Sequence, residues 1–466
     1  MLILFVILYF ALTVSIGFYA NKKVSGGRDF INAGRNLHPV LNAFALFALW
    51  FGSETLFGSS SEFLNHGILG IIEDPFGGVL CLLLVGFFYA KKMYRLNVLT
   101  IGDLFEINFG QKIEILASFM MVVSFLGYIA AQLLALGLIL KVLLGVSLAL
   151  GVILSAVIVI TYTITGGMLA VTLTDFIQSI MIIIGLIFIS IFLYKQTNGL
   201  PEILSNIPES HLRFFPEKGM TNSINWIASW MVLGLGSIVS QDVFQRVNSA
   251  RNEKSAYIST IAGALMYFIF AMIPLFLIIC IKTLYPQFMT QGDAQTILPT
   301  IVLTKMPMLL QILFFGSVLS AILSTCSGAI LAPASLVSEN ILRPLFFQNE
   351  SEDRLLFNTR VSIIFLTAIS IIIALSSDTI FELVGQSSAF GLVSIFVPFT
   401  AALFFDYKNK SGAIFSMVAG SIVWAICKFY LATEIEPLIY GLIASIMGLY
   451  LGHILFIKKV LFQPLP

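Results

Sequence analysis

The segment LFALWFGSETLFGSSSEF, residues 46–63, sets two glycines, four serines, a threonine and the acid Glu54 inside an apolar run. A helix opened at Gly52 frees backbone carbonyls, which are hard oxygen ligands suited to a small cation. Unpaired backbone costs several kcal/mol in lipid, so such a break survives only beside a protein-lined cavity. A second polar interruption follows far along the chain: Gly234-Leu235-Gly236-Ser237, then Ser240-Gln241-Asp242. Ser324 and Thr325 add adjacent hydroxyls in another apolar segment, and Asp175 adds a carboxylate. A charge deep in a bilayer costs on the order of 2.5–3.5 kcal/mol, so it needs a partner or a role. The bland alternatives are close helix packing at the glycines and hydroxyls bonded one turn back.

This is binding chemistry, not catalysis. His38, His66, His211 and His453 stand at span ends or in loops, beside no nucleophile or metal cluster. Cys81, Cys280, Cys326 and Cys427 are scattered through apolar segments, as small buried residues would be. No phosphate-binding loop is present, which argues against a primary pump.

The elements that position these residues are membrane spans. The 466 residues are 58% hydrophobic and 11% charged, against about 25% charged in soluble domains. The net charge of +1 argues against nucleic-acid binding. The apolar N-terminus lacks a charged leader and a cleavage site, so it reads as a span. Segments of about 20 apolar residues number thirteen: roughly 2–20, 40–63, 68–90, 114–144, 147–166, 170–194, 223–245, 256–281, 307–336, 357–376, 383–405, 411–432 and 437–457. Basic residues such as Lys22, Lys23, Lys91, Lys92, Arg95, Arg251, Lys408 and Lys458 collect in alternate connections and the tail. That bias puts the N-terminus outside and the C-terminus inside. The longest outer connections, 196–222 and 283–306, are candidate lids. The interrupted spans are the second and seventh. Gly-broken spans at matching positions in two halves mark inverted-repeat transporters. The expected all-α architecture is a 5+5 repeat: 1–39 a peripheral helix and loop, 40–195 the first repeat, 196–222 an outer loop, 223–406 the second repeat, and 407–466 two peripheral helices.

Five motifs in order carry a resemblance over about residues 20–430: INAGRNL (31–37), LTIGDLFEINFG (99–110), YTITGGMLAVTLTDFIQ (162–178), SQDVFQRVNSARNEKSA (240–256) and SAILSTCSGAILA (320–332). Together they resemble the sodium:solute symporter family of proline, sugar, sialate and pantothenate symporters. The resemblance implies a leucine-transporter-like fold and sodium as the coupling ion. It also implies a small polar solute as cargo and residence in a membrane, expected to be a bacterial inner membrane. No obligate protein partner is evident. By position it implies sodium ligands from the carbonyls of Ala48, Phe51 and Ala321 and the hydroxyls of Ser324 and Thr325. Five neutral oxygens suit a monovalent cation better than calcium. Asp175 matches an aspartate that completes a second ion site in some relatives. Ser327 is available beside it, but Gly328 stands where those relatives carry serine.

Solute is expected near the midplane between the broken spans. Candidate contacts are Glu54 and Thr55, Asp74 with its neighbour Glu73, Tyr128 and Gln132, Ser237, Ser240 and Gln241, and Gln386 with Ser387 and Ser388. Trp50 and Phe51, or Trp226 and Trp230, could supply an aromatic wall. Two acids hint at a solute with an amine, a positive charge or many hydroxyls. No buried arginine is expected; Arg246 is expected to pair with Asp242 at the inner end. The rival class is a membrane sensor on the same fold that signals through a separate partner.

Overall fold

The computed structural model describes residues 2–21, 26–289, 293–347 and 351–461. Lys22 and Lys23, counted above toward orientation, lie outside them. The described chain is helical; its one isolated bridge pairs Leu37 with Ala250. That bridge ties the loop after the first helix to the end of the seventh candidate span.

Among the described residues, ten helices are long and apolar enough to cross a membrane. They number eleven if Met220–Val239 and Gln241–Ser249, bent by 54°, are one span. Leu4–Thr13 and Pro39–Trp50 are apolar but shorter. The difference from thirteen has a local cause. The break after Trp50 divides the second candidate span, and its far part runs on with the third as Glu54–Leu96. The 5th and 6th candidates separate at Gly167, where φ is 55° and an added Cβ would lie 2.5 Å from Phe30 atoms.

Helix starts follow ordinary capping chemistry. The His38 imidazole accepts from Val40 N ahead of Pro39. Thr100 and Asp103 form a reciprocal capping box on Ile101–Phe109. In the most apolar windows of Met308–Phe346 and Gln111–Leu144, 78% and 72% of residues are buried, against 28% for Pro437–Leu455. The first two therefore form the centre and the last lies at the rim.

Candidate functional site

Breaking a helix leaves carbonyls that need partners. At the end of Pro39–Trp50 each one finds a donor. Phe47 O accepts from Phe51 N at 2.9 Å. Ala48 O accepts from Thr325 Oγ1 at 3.0 Å, and Leu49 O from Tyr128 OH at 3.2 Å. Trp50 O accepts from Gly52 N at 2.9 Å and Thr55 Oγ1 at 3.2 Å. Beyond the break, Ser53 N donates to Gln132 Oε1 at 3.0 Å. The opened backbone is thus held by two other helices, Gln111–Leu144 and Met308–Leu336, and by Thr55 of its own far part. Gly52 permits the approach: a Cβ there would sit 2.9 Å from Thr325 Oγ1 and 3.0 Å from Gln132 Oε1. Thr325 Oγ1 also lies 3.1 Å from Ala321 O. Of the expected ion ligands, Ala48 O, Ala321 O and the Thr325 hydroxyl are therefore gathered at one point. Phe51, fully buried, is the first residue past the helix, with φ −81° and ψ 69°.

Ser324 turns the other way and donates to Asp175 Oδ1. Arg246 Nη2 reaches Asp175 Oδ2 at 3.5 Å, and both side chains are fully buried. Two expectations are corrected here. Arg246 is buried, and its ion partner is Asp175; it meets Asp242 only at the backbone carbonyl, 3.4 Å away. The i, i+4 spacing of Asp242 and Arg246 suggested a local pair. The packed helices instead offer a desolvated carboxylate that needs a counter-charge. Ser327 donates back to Ser324 O at 2.9 Å. Gly328 leaves room for the guanidinium, because a Cβ there would lie 2.7 Å from Arg246 Nη2.

Beside the break lies a narrow cavity of about 50 Å³, room for a few waters at roughly 10–15 Å³ each. Glu54, Gln132, Ser237, Ser240, Ser387 and Ser388 line it, as do Trp50, Tyr128 and Asp242. Ser237 Oγ is 3.0 Å from Ser388 Oγ. Glu54 is 6% exposed, and its Oε1 has no hydrogen-bond partner. Other candidates lie elsewhere. Asp74 is buried and takes bonds from Thr55 at 3.1 Å, Ser59 at 2.9 Å and Tyr267. Thr55 is thus committed to that cluster and to Trp50 O. Gln241 Oε1 accepts from Ile101 N at 2.8 Å, which caps a helix. Gln386 donates to Glu382 at 2.6 Å, away from the cavity. Trp226 and Trp230 pack with Phe214 of the 196–222 connection.

The sequence of residues 30–420 matches the sodium:solute symporter family. The chain belongs to that family. This symporter is 28% identical over 436 residues to the human high affinity choline transporter 1, covering 89% of this chain and 74% of that one. It is 26% identical over 471 residues to the Bacillus subtilis high-affinity proline transporter PutP, covering 94% and 95%. The solved structure of a Na+-coupled sialic acid symporter, substrate-bound and outward-open, superposes with a TM-score of 0.82 at 20% identity. That likeness covers 99% of this chain and 98% of that one and shows the shared fold. The symporter is an integral, multi-pass membrane protein that couples solute transport to Na+; it is not an enzyme.

Two features of the symporter escaped the sequence reading. Met121, Ser124 and Phe125 join Tyr128 and Gln132 on the cavity wall. Their spacing of three and four residues is one helical face, visible in retrospect. Tyr267, which completes the Asp74 cluster, was one aromatic among many in an apolar helix.

Proposed function

We propose that this symporter uses inward sodium flow to drive uptake of a small organic ammonium solute by alternating access, with one sodium per cycle. The lining of the central cavity carries the reading: two carboxylates, Glu54 and Asp242, the aromatic rings of Trp50, Phe125 and Tyr128, and, among the described residues, no lysine or arginine. Aromatic faces and carboxylates together favour a cation. The similarity to choline transporters points the same way. The sodium ligands in this reading are Ala48, Phe51, Ala321, Thr325 and Ser324, whose hydroxyl turns from Asp175 to the ion when sodium binds. Asp175 takes its counter-charge from Arg246 rather than from a second ion at Ser327. Substrate contacts are Glu54, Gln132 and Ser237, with Thr55 and Asp74 bracing the break. Gln241 caps the helix Ile101–Phe109, and Gln386 bonds Glu382 on its own helix. The frame is thirteen spans with a 5+5 inverted repeat, N-terminus outside and C-terminus inside, in a bacterial inner membrane.

One sodium contributes about 2.3 kcal/mol per 100 mV plus about 1.4 kcal/mol per tenfold gradient. Together these support roughly five-hundredfold accumulation of a neutral solute; a monovalent ammonium also moves down the potential, which adds about 2.3 kcal/mol per 100 mV and brings the limit to roughly 25,000-fold. Proteoliposomes with an inward sodium gradient test the reading. Radiolabelled choline is expected to accumulate, and a sodium ionophore to abolish the accumulation. Gradient-driven uptake of an anionic solute in preference to choline would overturn it.

Glu54→Gln is expected to raise the solute KM about tenfold, the loss of about 1.4 kcal/mol, and to leave sodium half-saturation within about twofold. An unchanged KM together with an unchanged pH profile would reduce Glu54 to a brace of the break.

A further inference from the structure

A second cavity of about 300 Å³ lies behind the helix Ile380–Gly391. It is far larger than one water's share of liquid volume, roughly 30 Å³. The helix separates it from the central cavity by its two faces. Val384, Ser387, Ser388 and Gly391 look inward, whereas Glu382, Gly385, Gln386 and Ala389 look into the second space. Glu73 and Gln386, candidates for the solute site on sequence grounds, both lie here.

The lining is unbalanced in charge. Glu73, Glu382 and Glu436 contribute three carboxylates and Lys428 one ammonium. Lys428 and Gln386 both engage Glu382, at 3.5 and 2.6 Å. Glu73 and Glu436 form no ion pair among the described residues, and the buried Glu73 Oε1 has no hydrogen-bond partner. Trp424, 8% exposed, and Phe381 supply aromatic surface. A carboxylate pair without a counter-ion, beside aromatic rings in a space this large, matches an organic ammonium better than a hydrated metal ion.

We propose that this outer cavity is a second, sodium-independent binding site for small organic ammonium ions, separate from the central one. The assignment stands on the cavity's own lining, so the transported solute need not be a cation for it to hold.

The probe is radiolabelled tetramethylammonium, measured by equilibrium binding to the purified full-length protein in sodium-free potassium buffer. One saturable site per chain is expected. Glu73→Gln combined with Glu436→Gln, and separately Trp424→Leu, should weaken it at least tenfold. Glu54→Gln, in the central cavity, should leave it in place. Glu436 is exposed, so Glu436→Gln alone keeps the fold and is expected to weaken binding about threefold. Wild-type affinity in the double variant would overturn the proposal. So would loss of binding in Glu54→Gln alone, or displacement by calcium at the same concentrations as by choline.

Discussion

Thr325→Val should raise the sodium concentration for half-maximal uptake ten- to hundredfold while the protein remains folded. Valine keeps the shape of threonine and removes only the oxygen that lies 3.0 Å from Ala48 O and 3.1 Å from Ala321 O. A hydrogen bond or contact to a charged group contributes about 1.5–3 kcal/mol, and about 1.4 kcal/mol is a factor of ten. Ser324→Ala with Thr325→Ala should remove sodium stimulation altogether. The readout is initial uptake against sodium concentration in proteoliposomes, with thermal unfolding as the control. Sodium-stimulated uptake surviving in the double variant would sink the assignment of the ion to this point.

Arg246→Gln should destabilise the protein severely, whereas Asp175→Asn combined with Arg246→Gln should recover most of the loss. Both side chains are fully buried and meet at 3.5 Å. Removing one partner strands a charge and costs about 3–5 kcal/mol, whereas removing both is far milder. Arg246 also donates to Ala45 O at 3.2 Å, so recovery is expected to be incomplete. Unfolding temperatures of the single variants and the double variant give the coupling directly. Additive losses would show that Asp175 and Arg246 act independently.

The break at Gly52 was legible because glycine, serine and an acid are conspicuous in an apolar segment, and physics leaves such a cluster few uses. Its meeting with Thr325 was legible only through the family's motif order. The partner of Arg246 was not. The sequence advertises Asp242 four residues away, whereas Asp175 is 71 residues distant and reaches it only after packing. The same limit applied to Gln386, since Ile380–Gly391 carries polar residues on two faces and the sequence does not say which one meets the central cavity. Glu73 and Asp74 are adjacent yet part company, Asp74 into a hydroxyl cluster and Glu73 toward the outer cavity. The backbone leaves the helical region at Asp74 alone, with φ −138° and ψ 126°, so its side chain departs from the helical direction that Glu73 keeps.

The space at Gly328 limits which substitutions this packing accepts. A serine there would crowd a guanidinium already pinned by Asp175, Ala45 O and Asp242 O. Releasing that guanidinium first would strand the carboxylate. Either change alone is therefore expected to destabilise the protein, so a side chain at position 328 and a moved guanidinium are tolerated only together.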